Sequence, residues 1–373
     1  NVTAGDNRIT YNSLLEGRYT GCRVKVTDNS SNASDPLAIE FTIDLTKPAV
    51  AEVTPVSSPT NDRTPQYSFS STEKGRINVG GSCSGTGDAT GGNRLSDGVY
   101  CSAQLASDTC SAEVNTFRFS SLSNGTYDNC TISVTDDAGN TSDNISVSTF
   151  VIDTVLPDVE VEIPVPTPDN DSSPSVTISS NKAGKVSSSG DCHVDNSSIT
   201  DSSGSTVSGI SASDNTTVTL YFGYDNSTGL IPYSGDQSYP GCVISVTDAA
   251  GNVGSETLIP YRVDVLRPTV ASFTPADTQT SVSLDAPIEI EFSEPVNAGT
   301  VSTNTDAGCS GSIQVSSDDF GSCVRMSSSV PLTSDNRTFV LNPSDNFTET
   351  TTYKIRVTTA VQDLVGNEMA SNS

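Results

Sequence analysis

The run Cys130-Thr-Ile-Ser-Val-Thr-Asp-Asp-Ala-Gly-Asn140 constrains this chain more than any other feature, because it recurs. It returns as Cys242-Val-Ile-Ser-Val-Thr-Asp-Ala-Ala-Gly-Asn252 and, more loosely, as Cys22-Arg-Val-Lys-Val-Thr-Asp-Asn-Ser-Ser-Asn32. A fourth copy without the cysteine spans residues 355–367 and ends in Asp363-Leu-Val-Gly-Asn367. Cys130, Ile132 and Val134 alternate with Thr131, Ser133 and Thr135, and a period of two is that of a strand buried on one face. Asp-x-x-Gly-Asn then supplies turn chemistry, since Gly and Asn accept positive φ and Asp bonds its own backbone. Each copy reads as a late strand entering a hairpin loop, so the copies predict an array of similar β domains.

The spacing of the linkers sets the size of the unit. Asp44-Leu-Thr-Lys-Pro48, Asp153-Thr-Val-Leu-Pro157 and Asp264-Val-Leu-Arg-Pro268 share one form, and their prolines lie 109 and 111 residues apart. That is the length of one immunoglobulin-like sandwich. After each linker comes a short alternating segment, then a second strand opened by Pro65, Pro174 or Pro287. Proline is tolerated at a strand's first residue because no ladder donor is lost there. The inward residues of these second strands are Tyr67 and Phe69, Val176 and Ile178, and Ile288, Ile290 and Phe292. No stretch carries a sustained helical period with caps. The expected architecture is all-β: tandem immunoglobulin-like β-sandwiches in an extended array. Its parts are the C-terminal portion of one domain (1–47), two full domains (48–156 and 157–267), and a domain of a different subtype lacking its closing strand (268–373). The ends read as a window cut from a longer array, or as a subunit completed by its neighbours.

Composition agrees with small sandwiches. Only 34% of the 373 residues are apolar, which suits thin cores with wet outer faces. A net charge of -27 excludes unassisted nucleic-acid binding, which requires Lys and Arg to displace counterions. The same charge makes divalent cations plausible partners. No apolar run approaches the length of a membrane span.

Residues 1–267 resemble the bacterial Ig-like repeats of large surface proteins. Those families carry a late strand ending in Val-Thr-Asp-x-Ala-Gly-Asn followed by a Val-Asp-x-x-x-Pro linker. Residues 268–373 resemble a sister type found in surface-layer proteins, through Arg267-Pro-Thr-Val270, the run from Ile288 to Val296, Tyr353-Lys-Ile-Arg-Val357 and Asp363-Leu-Val-Gly-Asn367. The resemblance implies an Ig-like fold and an extracellular location, and is weak for function because the fold hosts many roles. Giant adhesins of this type exported in one step usually lack cysteine. The nine cysteines here imply export through an oxidising periplasm to the cell surface.

Cys83 with Cys130, and Cys192 with Cys242, occupy matching repeat positions at separations of 47 and 50 residues. Some members of the resembled families carry a cysteine at both places. Each pair would clamp a mid-domain strand to the late strand, for a chain-entropy gain of roughly 4 kcal/mol. Cys101 with Cys110, and Cys309 with Cys323, would close local loops. Cys22 is left over, and repeat logic places its partner upstream of Asn1. There is no Cys-x-x-Cys, so zinc and thioredoxin-like chemistry are not expected.

The aspartates form the candidate metal set. In an Ig-like sandwich the last hairpin loop lies at the same end as the domain's own N-terminus. Asp136 is therefore expected near Asp44, Asp248 near Asp153, and Asp363 near Asp264. Hard oxygen ligands gathered at a domain junction suit Ca²⁺, which would stiffen the joint. The competing reading gives each Asp an ordinary turn role. Tyr19, Tyr127 and Tyr239 each precede the late-strand cysteine by three residues and resemble a tyrosine corner. Sequons including Asn124, Asn144, Asn215 and Asn346 leave glycosylation open.

Enzyme signals are absent. His193 is the one histidine, and its neighbour Cys192 points to the opposite face of a strand. No nucleophile elbow, P-loop or dinucleotide fingerprint occurs. The expected role is a structural repeat region of an extracellular bacterial fibre or adhesin stalk, partnered by copies of itself or by further repeats. One alternative is a glycan- or protein-binding module using Tyr221, Tyr224, Tyr233 and Tyr239; another is an accessory region of a secreted enzyme.

Overall fold

A computed structural model describes residues 3–83, 113–119, 121–194, 197–222, 224–225, 229–230 and 236–373. The chain is all-β, with two single-turn 3₁₀ segments at Gly81–Cys83 and Ala298–Thr300 among the described residues. It divides into two compact units: Asn1–Leu156 with Asp248–Asn252, and Pro157–Thr247 with Val253–Ser373.

In the first unit, residues 17–43 form one antiparallel ladder, Gly17–Val24 against Leu37–Ile43. The following repeat has two facing sheets. One orders Val50–Thr54, Gln66–Ser71 and Glu113–Arg118; the other orders Gly75–Gly80, Thr131–Asp136 and Ile145–Ser146. The ladder Gly125–Tyr127 against Phe150–Ile152 completes it. Alternation in the sequence becomes burial: Tyr67, Phe69, Ile132 and Val134 pack with Phe117, Phe119 and Phe150 in one core. The aromatic rings sit edge-on or stacked, with Phe117 and Phe119 centroids 5.0 Å apart, a geometry that complements the ring quadrupoles. Ser133, expected on the wet face, is also buried.

The second unit repeats this plan twice. Val159–Ile163, Ser175–Ser180, Thr216–Phe222 and Cys192–Val194 form one sheet, facing Gly184–Ser189, Val243–Asp248 and Val253–Thr257. Val176, Ile178, Val218, Leu220, Ile244 and Val246 fill the space between. The last repeat stacks Val270–Thr274, Ile288–Phe292 and Thr338–Leu341 against Ile313–Ser316 and Lys354–Val357. Ile288, Ile290 and Phe292 meet Ile313, Val315 and Val357 there. A bulge interrupts the first ladder of each repeat, between Glu52 and Thr54, Val161 and Ile163, and Val270 and Ser272. An extra residue reverses the alternation, which leaves Val53 and Ile163 exposed.

Disulfides join Cys83 to Cys130, Cys192 to Cys242, and Cys309 to Cys323, each with Cα atoms 5.2 Å apart. Cys22 is free and half-buried. Cys101 and Cys110 lie outside the described residues.

Candidate cation-binding joints

Each linker begins where the last ladder of a domain ends. Ile43 pairs with Gly17, Ile152 with Gly125 and Val263 with Gln237, and the next residue in each case is the linker aspartate. Asp44 and Asp153 turn back on themselves, their Oδ1 atoms accepting from the N–H of Thr46 and Val155 at 3.0 Å. The chain is bent at a fixed point by the aspartate's own side chain.

The last hairpin loop of the next repeat closes on this bend. In Asp136–Asn140 the carboxylate accepts from the Asn140 N–H through Oδ1 and from Asn140 Nδ2 through Oδ2. Asp248 binds Asn252 and Asp363 binds Asn367 in the same way. Gly139, Gly251 and Gly366 hold φ of 96°, 89° and 96°, a left-handed conformation that glycine adopts without a Cβ penalty. The asparagine so oriented has one amide hydrogen left. Asn140 Nδ2 donates it to the carbonyl of Asp44 at 3.1 Å, Asn252 Nδ2 to that of Asp153 at 2.9 Å, and Asn367 Nδ2 to that of Asp264 at 2.9 Å. One clamp thus ties each Asp-x-x-Gly-Asn loop to the carbonyl of a linker aspartate.

Carboxylates gather at two of the clamps. One oxygen each from Asp44, Glu73 and Asp136 lie within 4.8 Å of one another, and so do oxygens of Asp264, Glu294 and Asp363. Asp153 and Asp248 share a clamp, but among the described residues no third carboxylate joins them. Turn hydrogen bonds and carboxylate clustering, framed as alternatives in the sequence, coexist: a carboxylate oxygen bonded to an N–H keeps a second lone pair for a cation.

Electrostatics mark both clusters as short of positive charge. Burial, then Asp44, Asp136 and Glu16, push the Glu73 carboxyl up. Burial, then Asp264, Asp363 and Asp236, push Glu294 up to about 7. Asp264 is pushed up by burial and then by Asp236 and Asp363. Burial also acts upward on Asp136, but the N–H groups of Asn140, Gly139 and Ala138 and the Asn140 amide outweigh it, and its net direction is down. The Oδ1 atom of Asp264 is buried and no hydrogen bond reaches it. Such an oxygen is costly unless a proton or a cation completes it.

Sequence reasoning found the aspartates and missed Glu73, Glu294, Glu16 and Asp236. Glu73 and Glu294 each follow a residue whose N–H donates to the carbonyl just after the linker proline, Thr72 to Ala49 and Ser293 to Thr269. A glutamate two residues beyond the second strand was the available signal, but only the pairing register shows that it returns to the linker. Among the tyrosines, Tyr19 and Tyr127 donate to the carbonyls of Leu15 and Ser123 at 2.9 Å, tying loop to strand. Tyr239 packs on the core, and Tyr233 lies outside the described residues.

Two comparisons with known proteins bear on the chain. The family described as bacterial Ig-like domain matches residues 264–373, a span that begins at the linker aspartate Asp264 and ends with the last residue. No curated protein matches the chain in sequence.

Proposed function

We propose that this chain is a structural spacer of an extracellular bacterial surface protein, a stalk or fibre segment and not a catalyst, whose joints are stiffened by calcium. The observation that carries the reading is the thrice-repeated clamp from the last-loop asparagine to the linker carbonyl. A domain that only needed to fold would gain little from fixing its own linker. The disulfides support residence in an oxidising compartment, and the match to a bacterial Ig-like domain supports a surface module. Calcium follows from the carboxylate oxygens drawn together beside two of the clamps, because Ca²⁺ takes oxygen ligands in flexible geometry.

Small-angle scattering of the oxidised chain tests the reading. In calcium the distance distribution should be narrow, and it should broaden on chelation. The triple substitution Asn140→Ala, Asn252→Ala and Asn367→Ala should broaden it even with calcium present. Identical distributions in all three samples would remove the spacer argument.

A further inference from the structure

In the domains 48–156 and 157–267 the segment after the first strand meets the last strand in parallel. Thr60 pairs with Ile152 and Asp169 with Val263, whereas the ladders of the two facing sheets, such as Gln66–Ser71 with Glu113–Arg118, are antiparallel. The Thr60 N–H donates to the Val151 carbonyl and the Asp153 N–H to the Thr60 carbonyl, both at 2.9 Å. The Asp169 N–H donates to the Arg262 carbonyl at 3.0 Å and the Asp264 N–H to the Asp169 carbonyl at 2.9 Å. A hydroxyl two residues earlier adds a third bond in each domain. Ser58 Oγ accepts from the Val151 N–H at 3.0 Å, and Thr167 Oγ1 from the Arg262 N–H at 2.9 Å. In the domain 48–156 the Glu52 carboxylate extends this clasp, accepting from the Ser148 N–H at 2.9 Å and from the Ser148 hydroxyl.

Direction decides how such a clasp meets tension. The chain enters the domain 48–156 at the Val50 end of its first strand and leaves through Asp153, one residue after the last strand. Glu52 lies opposite Ser148 and Thr60 opposite Ile152, so entry and exit are at opposite ends of a parallel pair. Pulling the two linkers apart drags the paired segments past each other, and every bond of the clasp is strained at once. The domain 157–267 has the same layout, entered at Val159 and left through Asp264. The ladder of residues 17–43 is the opposite case. Gly17 pairs with Ile43 at its open end, so tension applied there parts one pair at a time. Bonds that must fail together raise the barrier to unfolding, and the unfolding rate governs resistance to force.

We propose that the domains 48–156 and 157–267 are built to carry tension along the chain, the parallel clasp holding the load and the disulfide limiting the stretch. This rests on the spacer reading above and deepens it, because the segment then works as a tether under pull. Once a clasp fails, the Cys83–Cys130 or Cys192–Cys242 bond keeps 47 or 50 residues out of the extended path. Each domain therefore yields a short length of chain and stops.

Single-molecule stretching of the oxidised full chain by its two ends tests this. Ser58→Ala should lower the force of one unfolding step, and Thr167→Ala that of a different step. Thr116→Ala is the control. It deletes the hydroxyl bond between Ser68 and Thr116, which joins two strands away from the clasp, so it should lower stability to denaturant and leave the forces unchanged. Circular dichroism and disulfide mapping verify that each variant folds. Reduction should lengthen both steps by the residues that the disulfides hold back, roughly 155–180 Å at about 3.3–3.6 Å per residue. Clasp variants that leave every force unchanged, or a control that lowers force as much as they do, would overturn the tension-bearing clasp. Steps that do not lengthen on reduction would overturn the disulfide limit. The spacer reading fails separately, by the scattering comparison above, and survives either result if that distribution is narrow.

Discussion

Glu294 shows how one side chain reports on its whole surroundings. Its carboxyl is pushed up to about 7 by burial and then by Asp264, Asp363 and Asp236, from an ordinary value of 4.5. Between those values the folded chain holds more protons than the unfolded chain, so folded stability is greatest at the acid end and falls as pH rises. Asp264 and Glu73 are pushed the same way and add to the slope. Metal-free protein should therefore lose melting temperature from about pH 5 to about pH 7.5, the window in which the Glu294 proton leaves. Saturating calcium should abolish the loss, because the cation replaces the protons. Glu294→Gln should flatten the metal-free profile. A metal-free melting temperature that is level or rising over this window would contradict the account.

At the scale of the element, the late strand does two jobs at once. Its inward face joins the core through Ile132 and Val134, or Ile244 and Val246, and its end delivers the aspartate of the clamp loop. The disulfide fixes its start, at Cys130 to Cys83 and Cys242 to Cys192. Removing one of these bonds frees a loop of 47 or 50 residues in the unfolded chain. The paired substitution Cys83→Ala with Cys130→Ala should cost about 2–5 kcal/mol. Denaturant unfolding followed by near-ultraviolet dichroism measures it. A change below about 0.5 kcal/mol, within the range of neutral surface substitutions, would show that the core holds the strand without the bond.

Over the whole molecule, 45 acidic residues face 18 basic ones. Ion pairs among the described residues, such as Arg118 with Asp62 and Lys354 with Asp319, are exposed, and exposed pairs contribute little. Self-repulsion thus opposes the compact state, most strongly at the two carboxylate clusters. Monovalent salt should relieve it, since the screening length shrinks to about 10 Å at 0.1 M and about 3 Å at 1 M. Raising sodium chloride should lift the melting temperature of metal-free protein and should do so much less in calcium. Equal salt responses with and without calcium would place the repulsion elsewhere.

Tyr67, Phe69, Val176, Ile178, Ile290 and Phe292 were legible as core because a strand's period of two is written in adjacent residues. The linkers and their spacing were legible for the same reason: repetition is a property of the sequence alone. Cys83 and Cys130 could be matched through the repeat, although 47 residues separate them. The outward turn of Val53 and Ile163 was not legible, because a bulge depends on which partner each residue finds across the ladder. Nor were Glu16, Glu73, Asp236 and Glu294 visible as companions of the aspartates. They sit just outside the ends of separate strands, and only the pairing register, with the turn that brings each chain end back to the linker, places their charges together. The sequence determined what each strand buries; the tertiary structure alone decided which charges meet, because charge proximity depends on distance in space and not on order along the chain.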